Sequence, residues 1–365
     1  MIGQKGIPSR AGGIEVHVEE LSKRLACSGY QVDVYCRRGY CDRTFEDNKY
    51  NGINLKYTPY FKSKSLDAIT HTFTATISAL CSRCDIIHYH ALGPSAFAFI
   101  PRLFGRKVVC TVHGLDWQRG KWGFFAQKFL KFGEYATAKF SHKTINVSKN
   151  LTIYYKEKYH LDTAYIPNGI ERPDLLNPKI IKEKYGLDSG SYILFLARLV
   201  PEKGAHYLID AFNNLYTVKK LVIAGGSSYS DEYVKKLKVR AAENENIIFT
   251  GFIKDEELAE LYSNAYFYVL PSDVEGMPLS LLEAMSYGNC CLVSDIPENM
   301  EVIGSMGYSF IKSDVIDLTN KLSILIDDKN KVDKVRQFSS NYILNKYNWD
   351  KITAMTKQIY ESLKD

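Results

Sequence analysis

The chain has 365 residues, 45% of them hydrophobic and 24% charged, which at roughly 100–200 residues per domain gives two domains able to fold without disulfide or metal staples. Its net charge of +6 is unevenly divided: residues 1–165 hold 24 Lys and Arg against 13 Asp and Glu, a net of +11, and residues 166–365 hold 23 against 28, a net of −5. The composition excludes a fibrous or low-complexity chain, and no window approaches about 18 consecutive apolar residues, so no transmembrane helix is expected.

In chain order, apolar runs of strand length alternate with amphipathic stretches of helical length. Strands are predicted at Gln31–Cys36, Ile53–Thr58, Asp85–Tyr89, Lys107–Val112 and Lys143–Val147. Between them helices are predicted at about Glu15–Ala26, Leu66–Leu80, Ser95–Leu103 and Phe124–Ala138. The stretch Ile166–Pro178 holds Pro167, Gly169, Pro173 and Pro178 and no apolar period, which marks a boundary. Beyond it strands are predicted at Tyr192–Leu196, Lys220–Ala224, Ile247–Thr250, Phe267–Leu270 and Cys290–Val293. The helices are predicted near Ala205–Leu215, Asp231–Ala242, Asp255–Ser263 and Pro278–Tyr287. A last amphipathic helix, about Asp350–Leu363, could pack back on the first domain. Such alternation gives parallel sheets covered on both faces, hence an α/β chain of two doubly wound Rossmann-like domains, residues 1–166 and 167–349, facing a cleft. The first domain is unusual in having only Met1 and Ile2 before its first glycine. Either that strand is almost absent, or the chain begins inside the natural reading frame.

Several segments could carry chemistry, and each has a plainer reading. The loop Gly3-Gln4-Lys5-Gly6-Ile7-Pro8-Ser9-Arg10-Ala11-Gly12-Gly13-Ile14-Glu15 is glycine-rich and feeds a helix, as a phosphate cradle does, with Lys5 and Arg10 adding charge. It fits neither the dinucleotide fingerprint nor a triphosphatase loop. His88, His90 and His113 lie at strand ends, and His113 should face the cleft. No metal-ligand spacing accompanies them, so no metal is expected. Cys81-Ser82-Arg83-Cys84 has no second pair beside it, and the eight cysteines read as free thiols. Trp117 to Phe125, continuing through Lys128, Phe129, Lys131 and Phe132, mixes aromatic and basic residues. It suits an anionic bilayer surface, or a helix with a Phe core and solvated lysines. No nucleic-acid module is present, and the basic half equally suits phosphates or simple solubility.

In the second domain Arg198 and Lys203 sit in Arg-Leu-Val-Pro-Glu-Lys-Gly after a strand, where two cations could clamp a diphosphate, and Gly204 allows close backbone approach. Glu275-Gly276-Met277-Pro278-Leu279 opens a helix at Pro278, and free amides of Gly276, Met277 and Leu279 would form an anion site. Glu283 lies five residues into that helix, about 7.5 Å along its axis. It could accept both vicinal hydroxyls of a ribose. Two surface glutamates beside a helix start are the alternative.

Taken together, the Gly12-Gly13 loop, Thr111-Val112-His113-Gly114, Asn168-Gly169, Arg198 with Lys203, and Glu275-x7-Glu283 resemble the retaining family 4 glycosyltransferases of GT-B architecture. Gly3–Glu15 also resembles a bacterial rhamnosyltransferase-like subgroup of capsule and O-antigen synthesis. The resemblance implies that Arg198 and Lys203 bind the donor diphosphate and Glu283 the ribose. It further implies Glu275 and His113 beside the transferred sugar, Gly12 and Gly13 closing on the phosphates, and Phe252-Ile253 near the base. Glu275, His113, Arg198 and Lys203 are thus the expected catalytic set. No cofactor and no metal are expected, because fixed cations and helix amides would stabilise the leaving diphosphate. The expected partners are a nucleotide-sugar donor, a lipid-linked oligosaccharide acceptor and the inner face of the cell membrane, with no nucleic acid. The expected location is cytoplasmic and peripheral on that membrane. A sugar-nucleotide epimerase or phosphorylase of the same fold, and a bilobal nucleotide-sugar binder without catalysis, stay open at this point. An NAD-dependent dehydrogenase lacks its glycine fingerprint.

Overall fold

The computed structural model describes residues 1–8, 12–41, 47–63, 66–120, 122–227 and 230–364. The chain divides into two compact units: Met1–Gly169 with Asn348–Asp365, and Ile170–Tyr347. The first division therefore falls after Gly169 rather than after residue 166.

Unit 1 contains α1 (Gly13–Cys27), β1 (Val32–Cys36), β2 (Lys49–Tyr50), β3 (Ile53–Tyr57), α2 (Asp67–Leu80), β4 (Ile86–His90), α3 (Leu92–Ser95) and α4 (Phe99–Leu103). It continues with β5 (Lys107–Val112), α5 (Phe124–Phe140), β6 (Lys143–Asn146), α6 (Lys149–Tyr159) and β7 (Ala164–Tyr165). Two ladders, β1-β3-β2 and β4-β5-β6-β7, are stitched together by Met1 and Ile2. Tyr35 N donates to Met1 O at 3.1 Å, Ile2 N to His88 O at 2.9 Å, and His90 N to Ile2 O at 2.8 Å. Two residues thus stand where the first strand is expected. They give the order β2-β3-β1-(1–2)-β4-β5-β6-β7, with the topological switch between residues 1–2 and β4.

The helix expected over Ser95–Leu103 is broken into α3 and α4. Pro101 has no N–H for the Phe97 carbonyl, so the two turns stay separate. One core of unit 1 joins Val18, Leu21 and Leu25 of α1 to Val34 and Leu55, and the other face packs Ala75 and Ala79 of α2 on Ile2, Tyr89 and Val108.

Unit 2 contains α7 (Ile180–Tyr185), β8 (Tyr192–Leu196), α8 (Ala205–Asn213), β9 (Lys220–Ala224), α9 (Asp231–Arg240), β10 (Ile247–Gly251) and α10 (Asp255–Asn264). It continues with β11 (Phe267–Leu270), α11 (Leu279–Ser286), β12 (Cys291–Ser294), α12 (Pro297–Ile303), β13 (Tyr308–Phe310), α13 (Val315–Asp327) and α14 (Lys329–Lys346). All six strands run parallel in the order β10-β9-β8-β11-β12-β13. The chain builds outward from β8 in one direction and resumes at β11 in the other, so the switch lies between β8 and β11. Alternation places Ile193 and Phe195 in a core with Phe212, Leu237 and Leu322, while Tyr192 points to the other face and donates to Leu261 O at 2.7 Å. Full burial of each such Phe is worth about 2–3 kcal/mol.

After unit 2 the chain returns to unit 1 as α15 (Trp349–Glu361). Trp349, Ile352, Tyr360 and Leu363 enter the core beside α1. Asn348 caps the helix, its side-chain oxygen accepting from Asp350 N at 2.9 Å.

Candidate functional site

At the switch of unit 2 the loops leaving β8 and β11 approach closely. Gly204 follows the single turn Pro201–Lys203 with φ of 70°, and an added Cβ there would overlap the Pro271 carbonyl, so both dihedral and space demand glycine. Asp273 N donates to Glu202 O at 2.9 Å, and the Tyr207 hydroxyl to Asp273 Oδ2 at 3.2 Å. Across this junction Lys203 Nζ pairs with Glu275 Oε1, which also accepts from the Ser272 hydroxyl at 2.7 Å. The Glu275 side chain is only 6% exposed, so the pair is largely desolvated. Arg198 lies half-buried in the same loop as Lys203.

Beyond Glu275 the chain passes Gly276 and Met277 into α11. Pro278 stands one residue outside the helix rather than at its first position: its ψ of 100° is extended, and its carbonyl accepts from Leu281 N and Leu282 N at 3.1 and 3.2 Å. No side chain caps α11, whose first residue is Leu279. The amide end of α11 therefore lies just past the Lys203–Glu275 pair, where an anion is favoured. Glu283, one turn on, is half-buried and accepts from the Tyr262 hydroxyl at 3.1 Å. Burial, then the Glu283 charge, raises the Tyr262 phenol well above its ordinary range and keeps it a donor. The Tyr268 hydroxyl ties the end of β8 to α11, lying 3.0 Å from both Leu196 O and Ser280 Oγ. Past β10, Ile253 is buried at 8% exposure and Phe252 is 61% exposed, so Phe252 carries the accessible ring at that edge.

The same edge of unit 1 is made differently. Gly3, with φ of 133°, leaves no room for a Cβ against the His90 carbonyl. Gly12 precedes α1 and Gly13 begins it. The Glu15 carboxylate accepts from Lys5 N at 3.0 Å and lies over Gly12, so a carboxylate already sits at the first turn of α1. Ser9, Arg10 and Ala11 lie outside the described residues. At the carboxyl ends of β4 and β5, His90 Nδ1 is 3.2 Å from His113 Nε2, and His17 of α1 packs edge-on to His113 with ring centroids 4.8 Å apart. His17 Nδ1 meets Asn168 Oδ1 at 2.8 Å, and His88 joins Tyr360 of α15 at 2.6 Å and Thr111 at 2.7 Å. Burial holds all four imidazoles neutral, lowering His17 to about 4 and the other three well below their ordinary value.

His17 is the member that sequence reasoning did not single out, and Asn168 was named there only with Gly169, without this partner. The signal was there for His17: it stands four residues after Gly13, one turn along the helix that the glycine loop feeds. The aromatic segment after β5 is anchored by the buried Glu134, which accepts from Trp117 Nε1 at 2.5 Å, Tyr154 at 2.9 Å, and Lys158 and Tyr159 at 2.6 Å each. Lys121 lies outside the described residues. Cys81 is exposed and Cys84 half-buried, and among the described residues they join no third metal ligand. No helix among those residues is long and apolar enough to cross a membrane.

The Glycosyltransferase Family 4 model matches residues 11–172 and the Glycosyl transferases group 1 model residues 178–342. An uncharacterized glycosyltransferase of Methanocaldococcus jannaschii is 26% identical, over 97% of this chain and 95% of its own. The Escherichia coli UDP-Gal:alpha-D-GlcNAc-diphosphoundecaprenol alpha-1,3-galactosyltransferase is 28% identical, over 76% of this chain and 75% of its own. A solved sucrose-phosphate synthase from Thermosynechococcus elongatus shares the fold with a TM-score of 0.84 at 20% identity, over 99% of this chain and 95% of its own.

Proposed function

Because the chain is a glycosyltransferase of GT-B architecture, we propose that it moves a sugar from a nucleotide donor to a lipid-linked glycan with retention of anomeric configuration. The observation that carries this reading is the Lys203–Glu275 pair at the switch of unit 2, set between Arg198 and the uncapped start of α11 with Glu283 one turn beyond. Arg198, Lys203 and the α11 amides hold the donor diphosphate and offset its charge as it leaves. Glu283, steadied by Tyr262, accepts from the ribose hydroxyls, and Phe252 offers a face to the base. The bond from the sugar anomeric carbon to the phosphate oxygen breaks. A bond to the acceptor oxygen forms on the same face, and the acceptor proton passes to the leaving phosphate. These groups supply the positive charge without a metal, so transfer persists in EDTA.

A diphosphate-lipid acceptor is supported by the galactosyltransferase relative, whose name carries a diphosphoundecaprenol acceptor. It is supported too by the surface of unit 1, where α4 ends in exposed Leu103 (78%) and Phe104, and α5 opens with exposed Phe124 and Phe125 (85%). Lys128 lies over the Phe124 ring at 4.4 Å. Exposed rings with lysines beside them suit the headgroup boundary of an anionic bilayer. The setting proposed is peripheral on the cytoplasmic face, in surface-polysaccharide synthesis.

Thermal-shift screening against UDP, GDP, dTDP and ADP sugars tests the donor site. A donor at a hundred times its Kd adds roughly 2.7 kcal/mol of stability. Glu283→Ala and Lys203→Ala should each weaken the cognate donor about 10–150-fold. Wild-type kinetics in both variants would remove the site from the reaction. Phe124→Ser with Phe125→Ser should release the protein from phosphatidylglycerol vesicles, and unchanged sedimentation would remove the membrane contact.

A further inference from the structure

We propose that His17, His90 and His113 form a binding site for one divalent transition-metal ion of the zinc class. The three residues come from α1 and from the ends of β4 and β5, and their ligand nitrogens all lie within 4.8 Å of one another. Imidazoles around one tetrahedral ion, at metal–nitrogen distances of about 2.1 Å, have nitrogens about 3.4 Å and ring centroids about 5 Å apart. Here the His90 and His113 nitrogens are 3.2 Å apart, and the centroids are 5.5 Å for His17–His90, 4.8 Å for His17–His113 and 5.5 Å for His90–His113.

The hydrogen-bond accounting points the same way. Three neutral imidazoles carry three N–H groups and three lone pairs. Asn168 Oδ1 accepts the His17 Nδ1 proton, which makes Nε2 the lone-pair nitrogen of His17. The His90–His113 contact uses one N–H and one lone pair. An ion between those two nitrogens replaces that hydrogen bond, with His17 Nε2 as the third ligand atom. A cation there takes one lone pair from each of the three imidazoles. Asn168 acts as the outer partner that fixes a ligating histidine's tautomer and ring. His113 is half-buried, so the fourth position opens to water or an anion. Nitrogen ligands without thiolate or carboxylate select zinc, cobalt, nickel or copper over magnesium or calcium.

The test is a Co2+ titration of the full chain with no sugar nucleotide present. One ion per chain, with the intense visible bands of four-coordinate cobalt and displacement by Zn2+, is expected. His17→Gln and His90→Gln should abolish the bands while keeping the far-UV circular dichroism. Asn168→Ala, which leaves all three ligands in place, should weaken binding about 10–100-fold. His71→Gln, a buried imidazole of α2 outside the cluster, should change nothing. A pale six-coordinate spectrum, thiolate charge-transfer bands, or full binding in folded His90→Gln overturns the site. If a ligand variant fails to fold, an Asn168→Ala protein that binds as tightly as the wild type overturns it. Resting on the role proposed for this enzyme, ion-loaded protein should lose transfer and regain it in EDTA. The titration needs no donor, so its failure leaves the transferase reading standing.

Discussion

In unit 2 the end of β8 meets the end of β11 through charge: Lys203 from one loop holds Glu275 from the other, with Ser272 completing the contact. In unit 1 the corresponding edge has its loop-to-loop ion pair one strand farther out, where Arg37 after β1 meets Asp67 after β3 at 2.8 Å. It carries His17, His90 and His113, neutral and packed ring to ring. Both edges use a glycine to let two strand ends approach, Gly204 in one and Gly3 in the other. Sheet order thus fixes where a ligand can reach, and the side chains at that place decide what it must be. A paired-charge edge suits a diphosphate, and an edge of neutral imidazoles suits a cation or a hydroxyl. The two should also fail differently, one when its charge partner is removed and the other when it is protonated.

Acid should break the comparison most strongly. Burial holds His17 at about 4, against 6.5 for an exposed histidine. Between those values the unfolded chain binds a proton that the folded chain does not. Stability present above pH 6.5 is therefore lost as pH falls toward about 4, by roughly 3 kcal/mol for His17 alone. His88, His90 and His113 are lowered in the same direction and add to the loss. Unit 1 holds seven of the eight histidines and all three tryptophans. Tryptophan fluorescence in a urea series at pH 7 and pH 5 therefore reads unit 1 alone. A midpoint that does not fall at pH 5 would contradict the neutral cluster.

Next in size is Lys203→Ala, which strands a buried carboxylate and should cost unit 2 about 3–5 kcal/mol, seen by far-UV circular dichroism with the tryptophan transition unmoved. Lys203→Met combined with Glu275→Leu should recover most of that stability and none of the donor affinity. A double variant that binds donor normally would separate the ion pair from the site. Glu134→Ala removes an acceptor shared by four donors and should lower the tryptophan-detected stability by about 2–3 kcal/mol. Smallest is Tyr262→Phe, which takes one hydrogen bond from Glu283. About 0.5–1.5 kcal/mol, or roughly 2–12-fold in donor Kd by calorimetry, is expected.

The strands Lys107–Val112, Tyr192–Leu196, Lys220–Ala224 and Phe267–Leu270 were legible to the residue because each is a run of β-branched and aromatic residues between polar turns. α6 was not, since only Leu151 and Tyr155 of its face are buried and a polar helix leaves no apolar period. β13 is three residues long at a sheet edge, too short for any pattern. In the site, Arg198, Lys203, Glu275 and Glu283 stood out because strand-to-helix loops concentrate such residues. That Lys203 holds Glu275, and that Tyr262 serves Glu283, needed the fold: the partners are 72 and 21 positions apart. The histidine cluster was half-legible, His90 and His113 from their strand ends and His17 only once α1 is laid over them.

The two passages between the units lie side by side: Ile170 N donates to Tyr347 O at 2.8 Å, and a Cβ on Gly169 would overlap the Trp349 indole. Unit 2 is thus one uninterrupted stretch, whereas unit 1 is closed only by α15, which brings Trp349 and Ile352 to its core and Tyr360 to His88. On the ribosome the second half of the chain can therefore finish folding before the first. Unit 1 must wait, its α1 face open to solvent, until the last of these residues has left the exit tunnel.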